Sequence, residues 1–291
     1  MHETELIPQQ TAESTGDLET NECASCGNAQ SLNGAATFVY ALGRIQTRFP
    51  SLAIEKEFAQ AAGRAETAGL SNNEVIQSIL AQKQNRYLVR QLCWVFTVEG
   101  LDTYLLRPRD PADLDLFVEA LRSAPRPTDV DVIIGVRGPI AAPQLCNGLM
   151  VPIVIVDHLY SFDIDSLLKS IPRPQAIAED RFSSTAEELF WRVMQMADNA
   201  GASDEHRALN YLAVRYSAIY GHAAEAFGRN FALSSVDVRP SRLSGVRKIV
   251  DVIFSFTNRQ NDVSEKSFVR VDVTDEFPFL MTKMSPYYDL N

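Results

Sequence analysis

YLVRQLCWVFTVEGLDTYLLR, residues 87–107, contains the pattern on which the fold turns. Two apolar stretches, Tyr87–Val98 and Leu101–Arg107, have strand length and meet at Glu99-Gly100, a turn whose glycine accepts a positive φ. The spacing predicts a β-hairpin. Strand alternation sets Leu88, Leu92, Trp94, Phe96 and Val98 on one face and Val89, Gln91, Cys93, Val95 and Thr97 on the other. Just downstream, Asp110-Pro111 places a capping carboxylate beside a proline suited to the first helical position. Leu114, Phe117, Val118 and Leu121 then recur at helical spacing.

Working outward, Ser71 and Glu74 form a capping box that opens a helix over about 71–82, with Val75, Ile79 and Leu80 on one face. Val130–Val136 and Val151–Val156 are β-branched runs apolar enough for central strands. A second capping box, Ser184 to Glu187, opens a helix that turns Leu189, Phe190, Val193 and Ala197 inward. Ser203 or Asp204 caps another, with Leu209, Leu212, Ala213, Tyr216 and Ile219 on one side, and the two should pack as a helical hairpin. Lys248–Phe256 and Phe268–Val273 close the chain as a β-hairpin, with Val269, Val271 and Val273 inward and Arg270 and Asp272 on a wet face. The class is therefore α+β: a mixed β-sheet with flanking helices, a helical hairpin and a C-terminal β-hairpin. Residues 1–21, polar and without apolar period, are expected to be a flexible acidic segment, and 22–291 a single domain whose best internal boundary is the proline-rich stretch at 172–175.

The chain of 291 residues is 46% hydrophobic and 22% charged, and can bury a core without help from disulfides. Its formal charge is −10. Six of those negatives, Glu3, Glu5, Glu13, Asp17, Glu19 and Glu22, fall in the first thirty residues with no Lys or Arg opposing them. An acidic chain without a basic stripe does not suit nucleic acid or anionic lipid. The apolar runs are too short to span a bilayer, and the first thirty residues lack the basic and apolar regions of a secretory signal, which points to the cytoplasm.

Cys23-Ala-Ser-Cys26-Gly27 has the spacing of a zinc knuckle: two thiolates two residues apart reach one ion, and the glycine eases the turn. The two remaining cysteines, Cys93 and Cys146, would complete a closed four-sulfur structural site. Cys93 lies on the strand face opposite Trp94 and Phe96, and Cys146 lies in a loop-forming stretch, Pro143 to Gly148. Both also fit the alternative of buried free thiols. Asp157-His158, placed where the apolar run Val151–Val156 ends, is a low-ranked polar site in which a general base sits beside an acid. Gly135 and Gly138 flank an arginine and read as a tight turn before Pro139. No glycine pattern for phosphate or dinucleotide binding is present.

FVYALGRIQTRFPSLAIEKE (38–57) and VRVDVTDEFPF (269–279), followed by SPYYD (285–289), resemble the C-terminal domain of unknown function of the patellamide-type cyanobactin maturation proteases, a similarity running from about residue 21 to the end. The resemblance implies a part in maturing a ribosomally synthesised, post-translationally modified peptide. Nothing in the chain matches the serine, aspartate and histidine segments of the subtilisin-like domain of those proteases, so proteolysis does not carry over. The expectation is a non-catalytic accessory or scaffold domain that binds precursor peptide or a partner enzyme. The alternatives are an uncharacterised peptide-modifying enzyme and a dimerisation module of a fused protease, and a homodimer is the other partner expected.

Overall fold

Five strands, β1 (Phe38–Arg48), β2 (Cys93–Val98), β3 (Leu101–Pro108), β4 (Asp129–Ile140) and β5 (Pro152–Asp163), close into a barrel in the order β1-β2-β3-β5-β4. This computed structural model describes residues 37–63, 72–171, 178–194 and 199–288. Neighbouring strands of the barrel run antiparallel except β3 and β5, which pair in parallel over Leu105–Pro108. A parallel pair requires a crossover, supplied here by the connection that holds α4 (Leu114–Ala120) and by β4. Such a five-stranded Greek-key barrel is of the OB type.

Alternation decides which side chains fill it. Trp94, Phe96, Tyr104 and Leu106 join Val39, Ala41, Ile133 and Val154 in one buried core. Phe117 of α4 meets Trp94 edge-on at 5.5 Å, and Asp110 caps the turn that leads into α4 by accepting from Ala112 N at 2.8 Å. The opposite phase, Cys93, Val95 and Leu105, faces outward into a small cluster with Ala141 and Cys146. Three helices between β1 and β2, α1 (Leu52–Gly63), α2 (Asn72–Leu80) and α3 (Arg86–Gln91), seal the core with Phe58, Ile79 and Leu88.

The outward faces of β1 and β4 carry Tyr40, Leu42, Val130 and Val132 into a second core. Against it pack α5 (Ile164–Ser170), α6 (Glu179–Met194), α7 (Asp204–Arg215) and α8 (Ala218–Gly228). Beyond them lies a sheet ordered β10-β8-β7-β6, made of β6 (Phe231–Pro240), β7 (Ile249–Asn258), β8 (Ser264–Asp272) and β10 (Ser285–Pro286), with β9 (Phe279–Leu280) also on β8. The helices are stitched to the barrel by polar contacts: Asn210 donates to Tyr40 O at 2.8 Å, and Tyr40 N donates to Gly201 O at 2.9 Å. Gly201 has φ 71° and a side chain there would strike the Tyr40 carbonyl, so the close approach needs glycine.

Several expectations are corrected. Residues 86–91 are helix, and the strand begins at Cys93; Leu88 and Val89 are both buried, which consecutive residues of a one-sided strand do not achieve. α6 begins at Glu179, and the hydroxyls of Ser184 and Thr185 donate back to Arg181 O at 3.1 and 2.8 Å instead of capping. The helix capped by Ser203 ends at Arg215, so Ile219 belongs to α8, and α6 packs chiefly on α8. β6 was not expected. Gly135 to Gly138 lies within β4, and Asp272 is fully buried on a face expected to be wet. Ser71, Ala197 and Pro172 to Pro174 lie outside the described residues. No helix among those described is long and apolar enough to cross a membrane.

Candidate functional site

β5 does not stop at Val156. It runs on to Asp163, and the pairing with β4 skips one residue: Gly135 faces Val156 while Ile134 faces His158. Asp157 is that extra residue, the bulge that re-aims a side chain out of the ladder. Gly135 permits it, because a Cβ there would collide with the Ile155 carbonyl.

Asp157 meets Arg109, the residue after β3, in a two-point ion pair, with Nη2 to Oδ2 at 2.7 Å. The Arg109 hydrogen bonds hold the Asp157 carboxyl below the usual carboxylate range. Across this pair runs the segment after β8. Its Glu276 faces Asp157, and burial followed by the neighbouring carboxylate pushes Glu276 up to about 7. The next residue, Phe277, stands edge-on to the His158 ring at 4.7 Å. Arg207 of α7, 1% exposed, pins the segment from behind by donating to the carbonyls of Val273 at 2.8 Å, Asp275, and Glu276 at 3.1 Å. Its guanidinium also lies 5.2 Å from the Phe38 ring of β1. Asp157 and His158 are thus brought together with Glu276 and Arg109, partners far away in the sequence. Two carboxyls titrating apart is the electrostatic prerequisite for acid–base work.

The cysteines have a different geometry. Cys93 of β2 and Cys146 of the β4–β5 connection are joined as a disulfide with Cα atoms 5.9 Å apart, so in this structure neither stands as a separate thiolate. Burial and a covalent partner, not loop composition, decide the state of Cys146. Among the described residues no three His, Cys, Asp or Glu side chains converge on a metal position. Cys23 and Cys26 lie outside the described residues.

Beside the disulfide runs a trough. One cavity of about 350 Å³ is lined by Arg90 and Gln91 of α3, Cys93, Arg107 of β3, Pro111 and Leu145. A second, of about 430 Å³, shares Arg90 and Pro111 and continues to Arg86, Tyr87 and Asp115. Each is within the range of about 300–1,000 Å³ common for ligand sites. The cavities adjoin the outer side of β2 and β3 and the β4–β5 loop, where OB-type barrels bind. The disulfide fixes the residue after Leu145, so it anchors one wall.

Residues 176–287 match the protein family described as PatG C-terminal. That segment is similar to the PatG C-terminal family. A solved structure titled "PatG Domain of Unknown Function" superposes with a TM-score of 0.69, covering 86% of this chain and 98% of that one at 19% identity. The fold likeness therefore extends beyond the PatG C-terminal segment into residues before 176. No curated protein matches the chain.

Sequence reasoning missed Glu276, Arg207, Arg90 and Arg107. Glu276 had a signal, since it lies in the closing segment that resembles the PatG-type domain. The trough arginines had none: Arg90 lies in α3, which looked like strand, and Arg107 lies in the expected strand β3 but meets Arg90 at the cavity only through tertiary packing.

Proposed function

We propose that the chain is a non-catalytic accessory domain in the maturation of a ribosomally made, cyanobactin-like peptide, and that it holds precursor peptide, or a segment of a partner enzyme, in the trough beside β2 and β3. The carrying observation is the trough itself: two adjoining cavities of ligand size at the binding side of an OB-type barrel, lined by apolar side chains and arginines together with Gln91, Tyr87 and Asp115. Titration with the precursor peptide encoded beside its gene tests this. Saturable binding that disappears in Leu145→Asp is expected, and absence of binding to precursor and neighbouring enzymes removes the proposal.

A second reading, a peptide-modifying enzyme, is favoured by the carboxyl pair Asp157 and Glu276. Product formed from precursor and lost in folded Glu276→Gln and His158→Ala proteins would select it. A structural zinc on Cys23 and Cys26 remains part of the proposal. Cys93 and Cys146 can join it only after their disulfide is reduced, since thiolates are the ligands. Metal analysis of wild type and Cys26→Ser, with and without reductant, tests it. A cytoplasmic location, which reducing conditions would accompany, belongs to the same reading.

A further inference from the structure

We propose that the trough selects an acidic peptide segment, with Arg90 and Arg107 binding a side-chain carboxylate between apolar neighbours; this rests on the peptide-binding reading above. Both arginines line the 350 Å³ cavity, both are exposed, and among the described residues neither has an ion-pair partner. Other arginines of the barrel are engaged: Arg86 with Asp115, Arg109 with Asp157, Arg122 with Asp129 and Asp131. In a chain of net charge −10, two unneutralised guanidinium groups in one concavity give it a local sign opposite to the whole. A guanidinium presents a planar fork that matches a carboxylate, and the apolar surroundings strengthen such a bond.

The occupant's apolar flanks follow from the lining. Leu145 is 40% exposed, and with Pro111 and Leu114 it offers aliphatic surface on either side of the arginines. β2 lies between β1 and β3, and β3 is paired with β5 over Leu105–Pro108, so no strand edge is free at the trough for an added strand. Recognition must therefore come from side chains, which makes the charge of the ligand decisive. The second cavity adds length and no positive charge beyond the shared Arg90, because its Arg86 is already paired with Asp115 and the Tyr87 hydroxyl donates to Glu57.

The test is fluorescence anisotropy with two labelled synthetic heptapeptides, ALDLELA and its amide counterpart ALNLQLA, both blocked at their ends. The acidic peptide should bind at least about tenfold more tightly, as a charge-assisted bond would give. Arg90→Ala and Arg107→Ala should each weaken it by about tenfold while moving the amide peptide less than about twofold, and Arg242→Ala on a distant loop should change neither. Equal binding of the two peptides, indifferent to the arginines but lost in Leu145→Asp, would overturn carboxylate selection and leave the peptide-binding reading standing. Failure of both heptapeptides would also overturn it, and the precursor titration then judges the broader reading alone. If sedimentation shows that Leu145→Asp converts a dimer to a monomer, the trough is an interface between copies and the proposal falls.

Discussion

Replacing Arg207 with methionine removes a buried side chain of α7 that holds the 273–276 segment and also touches Phe38 of the barrel. The guanidinium gives up three carbonyl acceptors, Val273, Asp275 and Glu276, and its contact with Phe38. Each buried acceptor left without a donor costs about 1–3 kcal/mol. The sum overstates the loss, because the segment can relax toward water and because wild type already bears a burial penalty on Arg207, whose Nε has no partner. Asp204 keeps Lys248 at 3.1 Å. Net destabilisation of about 3–4 kcal/mol is expected, in line with breaking other buried ionic contacts. Urea unfolding gives the magnitude, and amide exchange gives the location: faster exchange should centre on residues 273–281 and spare β2. Arg207→Lys should recover less than half, since an ammonium cannot span three carbonyls. A loss below about 1 kcal/mol, or unchanged exchange in that segment, would refute the reasoning.

Glu276→Gln tests the carboxyl pair: with its folded pKa raised from 4.5 to about 7, Glu276 stabilises below its ordinary range, and that contribution is lost as pH rises through about 7. The variant should flatten this pH dependence and exceed wild type at pH 8 by about 1 kcal/mol, a figure discounted for the partial exposure of the group, as seen by urea unfolding at several pH values. Gly135→Ala drives a methyl into the Ile155 carbonyl and should cost at least about 2 kcal/mol in thermal unfolding, whereas Gly148→Ala, facing open space, should cost less despite its positive φ. Cys146→Ala opens a loop closed over 53 residues of sequence; a loss of about 2–4 kcal/mol, equalled by reducing the wild type, is expected in denaturant.

Local rules carried the fold a long way. The hairpin turn appears at Glu99-Gly100, where both residues have positive φ, and the alternation from Cys93 to Val98 separates barrel core from outer cluster as the sequence implies. Barrel closure was not visible, since the parallel β3–β5 pair and the β1–β4 return are contacts between distant residues that no short window contains. Asp157 could be singled out as a polar residue after an apolar run, but its role depends on a bulge set by Gly135, which read as a turn. Arg109 and Glu276 reach it only through tertiary packing. Cys93 and Cys146 could be singled out as a pair, while the bond between them depends on the β4–β5 loop folding back over β2.

Hydrogen exchange of the chain with and without saturating precursor peptide tests whether the trough is where peptide binds. Slowed exchange is expected in residues 86–94, 104–108 and 143–149, the walls of the trough, with little change in β6. Protection confined to β6, the unpaired edge of the second sheet, or protection nowhere, would contradict it.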